Sequence, residues 1–323
     1  MLTGKVFITG GAGYLARAIY RRARQEKWEC EFTCFSTDDS KHAFLNEIYP
    51  EVKCYRGDIS DTPIDILSSL MADHKYVIHA AAIKYVDRAE FNVWDTVRVN
   101  IKGSENVILA AHAAGVERAI GISTDKACEP INIYGMTKAT MERLFIESSG
   151  RFRNTEFSVV RYGNVVASTG SVITLFRKQE KEGIIKITDP NMTRFWMTPD
   201  EAVDTVLAGL LISENGSILV PSCRAMSIID VAKAALTATG SKLEIIGKRA
   251  GEKVHEKLIY KQESVRSEIV VTDKLKPPYA FWEISQPPAG ITSHEFELSS
   301  DNPKAGLISI EEMRDIIADS ETI

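Results

Sequence analysis

Through its first half the chain alternates short β-rich runs with helical stretches, and few architectures accept that rhythm. "VFITG" (6–10) leads into an amphipathic stretch from Tyr14 to about Glu26. "CEFTCFS" (30–36), "EVKCYRGD" (51–58), "YVIHAAA" (76–82), "RAIGIS" (118–123) and "EFSVVRYGN" (156–164) follow at intervals that leave room for helices. Strands separated by helices of this length form βαβ units, hence a parallel sheet covered on both faces. The expected class is α/β, a Rossmann-type doubly wound sheet with a smaller mixed substrate-binding lobe.

After Asn164 the rhythm breaks. A segment of mixed character runs to Phe195 and contains "KITDPNMTRFW". "TPDEAVDTVLAGLLI" then opens with Thr198, Pro199 and Glu201, the pattern of an N-cap, a first-turn proline and a capping-box acid. This predicts a helix opening at Thr198, within a segment, 196–220, that returns to pack on the sheet of the first domain, 1–165. Residues 166–195 and 221–323 are assigned to the smaller lobe, ending in a Pro-rich, irregular tail, "KPPYAFWEISQPPAG".

A length of 323 residues suits two lobes sharing a cleft. With 44% hydrophobic and 26% charged residues, disordered and fibrous classes drop out. A net charge of −5 without a basic run argues against nucleic acid as partner. The five scattered cysteines form no CxxC pair, so neither a disulfide framework nor a metal site is expected, and a reducing, cytoplasmic setting fits. Neither a signal peptide nor an apolar run of about 18 residues is present, so no membrane association is expected.

"TGGAGYLA" sets Gly10, Gly13 and Ala16 in the order G-x-x-G-x-x-A between a strand and a helix. Glycines there let the backbone turn tightly and approach a pyrophosphate held at the helix N-terminus. Such a loop alone is a weak signal; its place after the first strand and before the first helix raises it to dinucleotide binding. At the end of the second strand stand Ser36 and Thr37, with Lys41 beyond, which suits a 2′-phosphate and so NADP. Asp38 and Asp39 oppose that reading and keep NAD as the alternative. Asp58, after the third strand, is placed to meet adenine or to cap its own turn.

"STDKACEPINIYGMTK" carries the chemistry. Tyr134 and Lys138 stand four apart, on one helix face. A phenol of ordinary pKa about 10 is a poor base unless a neighbouring cation favours the phenolate. Asp125 and Lys126, side by side upstream, offer a second acid/base pair.

Together "TGGAGYLA", "HAAAIKYV", "STDKACEPINIYGMTK", "VVRYGNVVAS", "ITDPNMTRFW" and "RAGEKVHE" resemble the extended short-chain dehydrogenase/reductase superfamily over about 5–260. More closely they resemble its UDP-N-acetylglucosamine 4,6-dehydratases, in the short form that keeps tyrosine at position 134 and inverts C5. The resemblance implies that Tyr134 takes the C4 hydroxyl proton as hydride leaves C4 for the nicotinamide, with Ser123 or Thr124 on that oxygen. Lys126, its pKa depressed by burial or a nearby cation, would take the C5 hydrogen, and protonated Asp125 would release the C6 hydroxyl as water. Hydride then returns to C6 and a proton to C5.

Cofactor contacts implied by the resemblance are Gly10, Gly13, Tyr14, Leu15, Ser36, Thr37, Lys41, Asp58, Ile59, Ala80, Ala81, Ala82, Asn100, Tyr134 and Lys138. Substrate contacts implied are Lys84, Asn164, Ser171, Val172, Thr188, Arg194, Arg249 and Glu252, the arginines gripping the diphosphate. His255 reads as a satisfied structural histidine. Two departures stand out: Ala167, Ser168, Thr169 and Gly170 replace a G-S-R-G, and the second strand ends without an arginine. The resemblance also implies a homo-oligomer, through the helices after Asn100 and Tyr134, and a role in surface-glycan synthesis. The rival readings are a UDP-sugar 4-epimerase, which needs no elimination chemistry, and a dinucleotide-binding protein without turnover.

Overall fold

The computed structural model describes residues 2–168, 170–237, 240–275, 279–286 and 295–320. β1 (Thr3–Thr9), α1 (Tyr14–Glu26), β2 (Glu29–Ser36), α2 (Asp39–Ile48), β3 (Lys53–Arg56), α3 (Ile64–Met71) and β4 (Tyr76–His79) follow the expected alternation. Two short helices, α4 (Val86–Phe91) and α5 (Val93–Val97), run through a π-helical turn at 98–102 into α6 (Gly103–Ala113). β5 (Arg118–Thr124), α7 (Ile133–Arg151) and β6 (Glu156–Tyr162) complete this half.

Beyond lie β7 (Asn164–Val165), α8 (Val172–Glu180), β8 (Ile184–Ile187), β9 (Thr193–Met197), α9 (Pro199–Leu211) and β10 (Ile218–Pro221). Then come β11 (Arg224–Ser227), α10 (Ile228–Ala235), β12 (Lys242–Ile245), β13 (Lys257–Ile259), α11 (Lys261–Ser264), β14 (Ser267–Thr272), β15 (Tyr279–Ile284), β16 (Leu298–Ser299) and α12 (Ile310–Ser320).

The main sheet has the order β14-β15-β10-β6-β5-β4-β1-β2-β3. From β3 to β10 all neighbours are parallel. This is a doubly wound sheet, whose ligand crevice lies outside the carboxyl ends of the strands. Alternation along β1 shows why both faces need cover: Val6 and Ile8 enter one buried cluster, and Phe7 enters the cluster on the opposite face. α9 packs beside α1 on the first of these faces. Its start is the predicted capping box, with Glu201 N–H donating to Thr198 Oγ1 and Thr198 N–H to Glu201 Oε2.

A third buried cluster, including Val166, Phe176, Ile185, Trp196, Met226 and Ile317, binds the three-stranded sheet β11-β9-β7 to α8, α10 and α12. The expectation that everything after 221 belongs to this lobe needs correction. β15 pairs antiparallel with β10, and β14 antiparallel with β15, so Ser267–Thr272 and Tyr279–Ile284 extend the main sheet. Burial of Phe281 and Ile284 drives the pairing, and Glu283, itself buried, accepts from Glu214 N–H and Ser217 Oγ. Prolines around this strand had hidden its pattern in the sequence. No helix among the described residues is long and apolar enough to cross a membrane.

Candidate active site

One cleft of about 1010 Å³ opens above the carboxyl ends of the parallel strands, between the main sheet and the smaller lobe. Its floor is the glycine loop. Gly10 has φ +66°, and a Cβ there would sit 2.9 Å from the Ala81 nitrogen. A Cβ on Gly13 would lie 2.9 Å from the Gly10 oxygen. Gly13 is also the N-cap of α1 and offers no capping side chain, so the first N–H groups of that helix are left for a ligand. A cradle that admits no Cβ, at a helix N-terminus, fits the pyrophosphate of a dinucleotide. Tyr14, Leu15, Ile59, Ala80, Ala81 and Ala82 line the same cleft.

The end of β2 is less open than its sequence suggests. Ser36, Thr37 and Lys41 line the cleft. Yet the Ser36 hydroxyl bonds His42 Nε2 at 2.6 Å, and Lys41 Nζ pairs with Asp38 at 2.9 Å. Asp39 pairs with Arg56. Asp58 caps its own turn through Ser60 N–H while also facing the cleft. Asn100 does not line it. Buried in the π-helical turn, its amide donates to Ile83 O and Thr137 Oγ1 and accepts from Ile83 N–H, so it fixes the segment after β4 instead of reaching a ligand.

The stretch from Ser123 to Lys138 folds as one knot. Thr124 ends β5, a single 3₁₀ turn carries Asp125 and Lys126, and Asn132 caps α7 by accepting from Gly135 N–H. Any Cβ at Gly135 would collide with the Lys126 carbonyl, so this glycine lets the turn press against the helix. Ser123, Thr124, Lys126, Tyr134 and Lys138 all line the cleft. Asp125 sits just behind them, 1% exposed, with Oδ2 lacking a partner among the described residues.

Charge placement overturns one expectation. Burial by itself would lower the Lys126 pKa, but Asp125 at 3.0 Å and Glu256 at 3.4 Å raise it well above the ordinary value. Lys126 is an ammonium clamped between two buried carboxylates. Glu256 escaped the sequence reading because it lies 130 positions away, just past the segment read for Arg249, Glu252 and His255. Burial pushes the Tyr134 phenol up to about 12, against the opposing pull of Lys126 and a hydrogen bond with Thr124. Burial also brings Lys138 down to about 8, with Glu142 opposing.

Ser123 is committed elsewhere. Its hydroxyl donates to Glu142 Oε1 at 2.6 Å, within a buried network in which Arg161 reaches both Glu142 and Glu263 through paired hydrogen bonds. Thr124 donates to Asp125 Oδ1 at 2.7 Å.

On the lobe side, Lys84, Asn164, Ser171, Val172, Thr188, Arg194, Arg249 and Glu252 line the cleft. Burial and Lys41 lower the Lys84 pKa. The Arg194 guanidinium donates to the carbonyls of Thr193, Lys253 and Val254, so it pins the strand to the 253–254 backbone. Arg249 pairs with Asp87 at the rim, and Glu252 accepts from its N–H. His255 bonds Thr193 Oγ1, as a structural histidine would. Gly170 has φ +80° and Ala167 φ +57°; Thr169 lies outside the described residues.

Comparison with known proteins agrees with this geometry. The family model described as polysaccharide biosynthesis protein matches residues 6–273. The inverting UDP-N-acetylglucosamine 4,6-dehydratase of Campylobacter jejuni is 38% identical over 80% of this chain and 78% of its own. A UDP-glucose 4-epimerase of Rickettsia bellii is 38% identical over 81% and 80%. The X-ray structure of Pen from Bacillus thuringiensis superposes with a TM-score of 0.86 at 32% identity, covering 98% of both chains. A dTDP-glucose 4,6-dehydratase of Streptomyces venezuelae shares the fold, with a TM-score of 0.69 at 19% identity over 77% and 86%. With most of its length matched by one family model and by relatives of this identity, the chain belongs to the polysaccharide biosynthesis protein family, within the extended short-chain dehydrogenase/reductase fold.

Proposed function

We propose that the protein is a hydro-lyase that dehydrates UDP-N-acetylglucosamine to a 4-keto-6-deoxy sugar, with inversion at C5, for surface-glycan synthesis. The observation that carries this reading is the Asp125–Lys126 pair, in which Lys126 lines the cleft with Tyr134 and Asp125 is buried just behind it. A bound nicotinamide dinucleotide would accept hydride from C4 and later return it to C6. Tyr134 would take the C4 hydroxyl proton as a phenolate, which Lys126 and the positive charge of a bound oxidised nicotinamide favour against the burial that pushes its pKa up, and Thr124 lies within reach of Tyr134 to share that oxygen.

Elimination then needs a neutral amine and a protonated carboxyl at the same moment. Lys126 Nζ and Asp125 Oδ1, 3.0 Å apart, can supply both by one transfer. The N–H bond breaks as the O–H bond forms, leaving an amine with a free electron pair and a carboxylic acid. The amine takes the C5 hydrogen, and the acid gives its proton to the departing C6 hydroxyl, so water leaves and both groups recover their charges. This replaces the idea of a lysine neutral at rest.

NADP is the cofactor in this reading. A homo-oligomer in the cytoplasm completes it: five free cysteines support a reducing setting. Phe91 (89% exposed) and Trp94 (91% exposed), on α4 and α5 beside the start of α7, support burial against a second copy. Light scattering that finds a monomer at micromolar concentration would exclude the oligomer.

The 4-epimerase reading has relatives of equal identity behind it. Epimerisation, however, leaves the Asp125–Lys126 pair without a task. Incubation with UDP-N-acetylglucosamine in heavy water decides. Loss of one water with deuterium at C5, and couplings of the inverted sugar, are expected. A product of unchanged mass epimerised at C4 would sink the proposal, and no product with tight dinucleotide binding would leave a binding protein. Lys126→Ala should stop elimination while dinucleotide binding persists.

A further inference from the structure

The cations at the end of β2 are already spent. Lys41 is tied to Asp38 and Arg56 to Asp39, so those four charges cancel, and the Ser36 hydroxyl is held by His42. A phosphomonoester arriving there would find Thr37 and little positive charge from the strand. A different cation faces the same part of the cleft. Arg17 stands one helical turn after Gly13, on the glycine-loop face of α1, and lines the cleft together with Ser36, Thr37 and Phe44. Its guanidinium carbon lies 5.8 Å from the Phe44 ring on α2 and 6.0 Å from the Tyr14 ring, so the side chain bridges α1 and α2 where β2 ends. Among the described residues no carboxylate pairs with it, and its buried Nε has no hydrogen-bond partner.

An arginine braced by two aromatic rings, charged at all working pH and short of acceptors, is a site for a phosphate. We propose that Arg17 is the residue that receives the 2′-phosphate of a phosphorylated dinucleotide, so that selection of NADP is made from the first turn of α1 and not from the end of β2. The inference rests on the dinucleotide-binding reading of this cleft. It predicts that the neighbouring acids, Asp38 and Asp39, stay engaged with their own cations when the cofactor binds, instead of repelling the phosphate.

Equilibrium binding of NADPH and NADH to the full chain, followed by nucleotide fluorescence, tests it. Displacement by adenosine 2′,5′-bisphosphate and by AMP gives a readout independent of turnover. Wild-type protein should prefer NADPH. Arg17→Ala should weaken NADPH and the bisphosphate about 10- to 100-fold, the size expected for a charge-assisted contact, and leave NADH and AMP within about twofold. Arg17→Lys should lie between, which keeps the test open if the alanine variant folds poorly. Wild type without preference for NADPH overturns the NADP reading, and this assignment with it. Preference that survives Arg17→Ala overturns the assignment alone. Equal weakening of NADPH and NADH also overturns it, because the arginine then serves the pyrophosphate common to both.

Discussion

Lys126 Nζ lies 3.4 Å from Glu256 Oε1, joining a partly buried lysine to a buried glutamate that only the fold brings beside it. Glu256 holds the lysine as an ammonium, the state that cannot take a proton from carbon. In Glu256→Gln one of the two carboxylates is gone, so the Lys126 pKa falls toward its ordinary value. The alkaline limb of the C5 hydrogen-exchange profile should move to lower pH by about one unit or more. An unmoved profile, measured by deuterium uptake from heavy water, would remove Lys126 from the role of base.

Neighbouring hydroxyls should behave differently. Ser123 donates to Glu142, not into the cleft, whereas Thr124 sits between Asp125 and Tyr134. Ser123→Ala is expected to cost about 1 kcal/mol of stability and to change the rate of C4 oxidation less than threefold. Thr124→Val should slow that step more than tenfold. Single-turnover absorbance of the reduced nicotinamide distinguishes the two.

Arg161 is 1% exposed and bonds two buried carboxylates at once. Its removal leaves Glu142 and Glu263 without their shared cation. Arg161→Ala should destabilise the fold by about 3–5 kcal/mol in urea titrations. Arg161→Lys should recover only part of this, because an ammonium cannot form both paired sets of hydrogen bonds.

His79 is wholly buried between Thr9 Oγ1 and Ser104 Oγ, and burial brings its pKa down to about 3 from an ordinary 6.5. Between those values the unfolded chain binds the proton and the folded chain does not, so stability rises with pH. The contribution is present above about pH 6.5 and is lost as pH falls toward 3. From pH 8 to pH 5 the loss is about 2 kcal/mol. His79→Gln should start less stable at pH 8 but lose about that much less on acidification, as read from urea midpoints at the two pH values.

What the sequence disclosed was local. Strand–helix alternation, the glycine loop and the Thr198–Glu201 box are each decided within a few residues, and each stands where expected. The four-residue spacing of Tyr134 and Lys138 likewise put both on the cleft. Charge states were not legible, since Lys126 depends on a glutamate 130 positions later. Nor is the use of donors legible: Arg194 lines the cleft, yet its guanidinium is engaged by three main-chain carbonyls that no spacing in the sequence announces. Asn100 was misjudged for the same reason, its amide being consumed by Ile83 and Thr137.

The antiparallel edge of the main sheet bears on how the chain is made. β10 is synthesised about sixty residues before β15, its partner on that side. Until 279–284 leaves the ribosome, a strand of buried residues, Ile218 to Pro221, has one unpaired edge facing solvent. Such an edge recruits strands from other chains. The interval before this pairing is therefore exposed to aggregation, and slowing synthesis before 279–284 has cleared the ribosome should lower the yield of native protein more than slowing it afterwards.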